Sequence, residues 1–79
     1  MRDFAVWKSQ VMLWLIKLPS KGEDFNNQKR VLITKLESLR SRWLSNFLSL
    51  LYNFTDFWEI KIPSELLPSN EELENWLSK

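Results

Sequence analysis

From Asp24 to Phe54 the chain runs 31 residues without a glycine or a proline. In a protein of 79 residues, nothing constrains the fold more. The stretch predicts a single amphipathic helix over 24–54, about eight turns long. Phe25, Leu32, Leu36, Leu39, Trp43, Phe47, Leu50 and Phe54 recur every three or four residues. At roughly 100° per residue they form one stripe, widened on one side by Ile33, Leu44 and Leu51. Leu39 and Trp43 fall at its centre and are expected in the core.

A first helix is expected over 3–18. Phe4, Trp7, Val11, Trp14, Leu15 and Leu18 share a face that Met12 and Ile16 extend, while Val6 and Leu13 point the other way. Pro19 ends this helix, because the residue before a proline avoids the helical region. The turn Pro19–Gly22 gives Gly22 access to positive φ, and so short a connection makes the two helices antiparallel neighbours. Glu23 and Asp24 suit the positive end of the second helix dipole.

Beyond Phe54 the period changes to two. Trp58, Ile60 and Ile62 alternate with Glu59 and Lys61 before Pro63, which predicts an extended strap over 57–62. The strap either lies over the bundle or pairs with another chain. Pro63–Pro68 has room for one helical turn. Ser69 with Glu72 fits a capping box, opening a short helix over 70–78 with Leu73, Trp76 and Leu77 on its apolar face. A helix that short must dock on the others. The expected fold is therefore an all-α small bundle, one domain over 1–79. Its long central helix packs antiparallel on the N-terminal one, and the strap and short helix close it.

Composition narrows the function. There is no cysteine and no histidine, so thiolate chemistry, disulfides and histidine-based acid–base catalysis have no residues to work with. One glycine cannot build a phosphate-cradling loop. No cofactor, no metal, no small-molecule substrate and no enzymatic activity are expected. The longest uncharged stretch, 43–55, is 13 residues, short of the roughly 20 that cross a bilayer. The N-terminus lacks the pattern of an export signal, so a cytoplasmic location is expected.

What remains is surface. Five Trp, five Phe and fourteen Leu are many large apolar side chains for so short a chain. Either the core is dense, or part of this surface is covered by another protein or a second copy. The expected function is a non-catalytic protein–protein interaction module, such as a small accessory subunit, an adaptor or an inhibitor of a larger complex. Candidate interface residues are Arg40, Phe47, Leu51 and Phe54 on the long helix, with Phe57, Trp58 and Ile60 beyond it. Thr34, Ser38, Ser41, Ser45 and Ser49 form a second stripe, either a wet face or a place for close helix approach.

Charge suggests an alternative. Residues 1–43 carry nine basic and four acidic side chains, and residues 44–79 carry two and six. A nucleic-acid-associated helical protein would use Lys29, Arg30, Lys35 and Arg42 on phosphates. On a continuous helix these are scattered around the axis, and Leu44–Thr55 has no basic residue to interleave with its aromatics.

Overall fold

A computed structural model describes residues 1–78. Four α-helices appear among them: α1 (Phe4–Lys17), α2 (Glu23–Glu37), α3 (Leu44–Phe57) and α4 (Asn70–Leu77). Single 3₁₀ turns occupy Ser41–Trp43 and Ser64–Leu66, and no strand is present among the described residues. The fold is all-α and packed as a bundle.

The long helix does not form as one piece. It ends at Glu37, passes through Ser38 at φ −101° and ψ 7°, and restarts at Leu44. A continuous helix of that length would span about 46 Å, more than the longest dimension of the molecule, 39 Å. Its second half would run past α1 and leave Phe47–Phe54 in water. Breaking it folds α3 back on α2, so that Phe54 at the end of α3 meets Phe25 at the start of α2 with ring centroids 5.2 Å apart. Ser38 and Ser41 mark the break. Serine side chains compete for backbone hydrogen bonds and make a helix interruption inexpensive.

The break also resets the helical phase. On α3 the buried face is Leu44, Phe47, Leu51 and Phe54, so the expected flank has become the centre. Trp43 and Leu50, expected inside, face outward with 53% and 42% of their surface exposed. The placement of Trp43 in the core is thereby corrected, whereas Leu39 packs against the core half-buried.

α1 runs antiparallel to α2. Lys8 near the start of α1 donates to the carbonyls of Glu37 and Leu39, and Lys29 donates to that of Leu18. Trp7, Val11 and Leu15 of α1 meet Phe25, Leu32 and Leu36 of α2, and Trp76 of α4 completes the core. Pro19 stops α1 as expected, with Leu18 extended at ψ 130°, and Gly22 adopts φ 115°. Ile16, expected on the packed face, is exposed, as are Val6 and Leu13.

The strap begins later than expected, because Phe57 still belongs to α3. The helix closes with a Schellman pattern. The Ile60 N–H donates to the Thr55 carbonyl at 2.8 Å and the Glu59 N–H to that of Asp56 at 3.3 Å. Glu59 takes the left-handed position at φ 55°. From Ile60 the chain is non-helical up to Ser64; Ile60 and Ile62 pack on the core as alternation along an extended strap requires, and Trp58, in the turn that closes α3, packs there too. Ser69 and Glu72 form the expected capping box, which opens α4.

Candidate interaction surface

Two regions collect the side chains that the fold does not spend on its core. The first is a pole where α4 closes over α1. Phe4, Trp7, Phe47 and Trp76 cluster there with ring centroids 5.5–6.3 Å apart, Phe4 and Trp7 stacked and Phe47 edge-on to Trp7. Both indoles are satisfied: Trp7 Nε1 donates to the Leu66 carbonyl and Trp76 Nε1 to that of Arg2. Arg2 grips Glu72 with two parallel bonds of 2.8 Å and also donates to Gln10 Oε1 and to the Glu65 carbonyl. One guanidinium thus ties together the N-terminus, α1, the 3₁₀ turn and α4. The Arg2 bonds, aided by the Ser69 N–H and opposed by desolvation, hold the Glu72 carboxyl down at about 2, from an ordinary 4.5. Pairing with Glu72 raises the already high Arg2 value. The pole is finished structure: its polar groups are partnered and its rings are covered.

The second region is a groove between α2 and α3. Val31 and Lys35 form one wall, and Leu50 and Phe57 form the other. Toward the interhelical turn it continues past Arg40 and Trp43. Val31 is 53% exposed and Phe57 67%. Leu50 and Phe57 are spaced by seven and share one face of α3, and Trp43, seven before Leu50 in the 3₁₀ turn that leads into α3, opens onto the same groove. The flat Arg42 guanidinium lies over the Trp43 ring, 5.8 Å from its centroid. At the opposite end Trp58 Nε1 donates to Gln28 Oε1, joining the end of α3 to α2. No carboxylate lines the groove, and its cations, Lys35 and Arg40, gather at the end nearest the turn.

The expected interface residues divide between these environments. Phe57 and Arg40 are exposed along the groove. Phe47, Leu51 and Phe54 are core, with at most 5% of their surface exposed; only edges of Phe47 and Phe54 reach the groove floor. Trp58 and Ile60 are half-buried against the bundle, which uses the inward side of the strap. The residues that sequence reasoning missed are Trp43 and Leu50, outward because of the helix break, Val31, which lies off the apolar stripe of α2, and Arg2, whose partners lie 63 and 70 positions away.

The expected phosphate-contacting residues do not converge. Lys29 and Arg30 border a depression on one face of α2 that also contains Glu37, whereas Lys35 belongs to the groove on another. Lys29 is already engaged by the Leu18 carbonyl and the Phe25 ring. The serine stripe is divided as well, since the break separates Thr34 and Ser38 from Ser45 and Ser49. Among the described residues no cluster of carboxylates is arranged to hold a metal ion, and no helix is long and apolar enough to cross a membrane.

Comparison with known protein families, with characterised proteins and with solved structures gives no match.

Proposed function

We propose that the chain is a non-catalytic protein–protein interaction module of the cytoplasm, acting as an accessory subunit, adaptor or inhibitor, and that the α2–α3 groove is its contact surface. One observation carries this reading: Trp43 of the 3₁₀ turn and Leu50 and Phe57 of α3, with Val31 of α2, bring four exposed apolar side chains together along one groove. Uncovered apolar surface is worth about 25 cal/mol per Å² when a partner removes it from water. A groove floored by core residues keeps its shape without the partner, which lowers the ordering cost of binding. Aromatic residues and arginine are the side chains that most often dominate binding energy, and here Trp43 and Arg42 already stack on each other.

The test is site-specific photocrosslinking in the native cell. A photoreactive residue at Leu50 or Phe57 is expected to give discrete protein adducts, and one at Leu13 on the outer side of α1 is not. Absence of groove adducts, or equal labelling from both sides, would overturn the proposal.

A further inference from the structure

The uncovered strip on α3 is self-complementary, and we infer that its occupant is a second copy of the chain, docked with α3 antiparallel to α3 about a two-fold axis through Leu50. The inference rests on reading the groove as an interaction surface and goes on to name what fills it.

Two features of the strip carry it. The first is spacing. Trp43 lies seven residues before Leu50 and Phe57 seven after. A two-fold axis perpendicular to α3 at Leu50 therefore sets Leu50 on its own counterpart and brings Trp43 of each copy to Phe57 of the other. Each ring is then covered by a ring, where aromatic pairs gain about 0.5–1.5 kcal/mol beyond simple burial. All three residues are exposed in the single chain, so the pairing takes Leu50 and Phe57 of α3 and Trp43 of the turn before it out of water in one step.

The second feature is charge. From Trp43 to Thr55 the chain carries no charge at all, and the two ends of this stretch differ in sign. Arg40 and Arg42 precede it, and Asp56 and Glu59 follow it; all four are exposed. Arg42 and Asp56 occupy equivalent positions, each one residue before a ring of the strip. A perpendicular two-fold exchanges the ends of the helix and keeps its flanks, so Arg42 of one copy faces Asp56 of the other, twice per dimer. Between them on the same flank lies Ser49, small enough to meet its counterpart on the axis. Parallel docking would put Arg42 on Arg42 and Asp56 on Asp56, which opposes it. Twofold pairing of one surface patch is also the commonest closed arrangement of identical chains.

The experiment is sedimentation velocity of the full chain, from low micromolar to near-millimolar concentration, with circular dichroism to verify folding. The wild type is expected to move from monomer to dimer over this range. Leu50→Asp replaces an exposed side chain and is expected to weaken dimerisation at least about tenfold at unchanged helicity. Arg42→Asp and Asp56→Arg should each weaken self-association, and mixing the two variants should restore it as a heterodimer, because every facing pair is then opposite in sign. A wild type that stays monomeric throughout overturns the inference, as does a dimer indifferent to Leu50→Asp, or a mixture no tighter than its components. Failure here is separable from failure of the interaction reading. A monomer whose groove still crosslinks to a different protein loses only the self-pairing, whereas absent groove adducts remove the interaction surface itself.

Discussion

Trp7 and Trp43 each stand near the start of a helical segment, and the molecule treats them in opposite ways. Trp7 is fully buried, its ring among Phe4, Phe47 and Trp76 and its N–H on the Leu66 carbonyl. Trp43 is half exposed at the mouth of the groove, with only the Arg42 guanidinium above its ring. The difference follows from what the chain supplies nearby. At the pole, α4 and Arg2 bring both apolar cover and hydrogen-bond partners, which a buried indole requires. Along α3 the other face is turned inward, and among the described residues no element lies over the outside. Apolar cover and hydrogen-bond partners are concentrated at the pole, and the groove is left open.

The largest effect expected from this contrast is a pair of truncations. Trp7→Ala should cost about 3–5 kcal/mol, comparable with the entire stability of a small domain, and should leave a largely unfolded chain. Trp43→Ala should cost less, about 1–2 kcal/mol, because half of its surface is already in water. Urea unfolding followed by far-ultraviolet circular dichroism measures both. Equal costs would break the division into a sealed pole and an open groove.

A smaller effect sharpens the account of the pole. Arg2→Ala removes the fork that grips Glu72 and is expected to cost about 1–2 kcal/mol at neutral pH, less than a fully buried pair because Arg2 stands at the solvent edge. The effect carries a pH signature. The Glu72 carboxyl is held at about 2 in the folded chain against 4.5 ordinarily. Its contribution is therefore fully present above roughly pH 5 and is lost as pH falls toward 2. The difference in urea midpoint between wild type and Arg2→Ala should shrink over that window. A difference constant down to pH 2 would mean that Arg2 stabilises the pole by packing alone.

The pole and the groove were not equally legible in the sequence. Pro19, Gly22, the Ser69–Glu72 capping box and the period-two residues Trp58, Ile60 and Ile62 are local signals, and each acts as its local chemistry dictates. The helix break at Ser38–Arg40 carries only a weak local signal, the serines Ser38 and Ser41, which make an interruption inexpensive without requiring it. Every residue there tolerates a helix, and the break is selected by tertiary burial, which folds Phe54 back onto Phe25. Because the break resets the phase of α3, an uninterrupted helix assigns Trp43 and Leu50 to the wrong side. The groove inherits that error, although the spacing of seven that links Trp43, Leu50 and Phe57 is visible without the structure. Arg2 is illegible for a different reason: its carboxylate partner is 70 positions away, and nothing near Arg2 distinguishes it from a solvated cation.

The smallest effect concerns how the groove-bearing helix ends, and here a substitution should stabilise. Glu59 holds φ 55°, a left-handed conformation that costs a residue with a Cβ about 1 kcal/mol or more. Its side chain is exposed, so the strain is not offset by burial of the side chain. It persists because the Schellman pattern places Ile60 against the core and satisfies the Thr55 and Asp56 carbonyls. Glu59→Gly relieves the strain, keeps both hydrogen bonds and loosens the unfolded chain, for a net gain of about 0.5–1 kcal/mol. A rise in melting temperature of a few degrees checks it. The same variant bears on the groove. It removes one of the two acids at the Phe57 end and leaves Asp56, the residue set to face Arg42. Stabilisation with unchanged self-association would separate the strain at the helix end from the charge pairing along the strip. A destabilised Glu59→Gly would show instead that the glutamate itself holds the end of α3 in place.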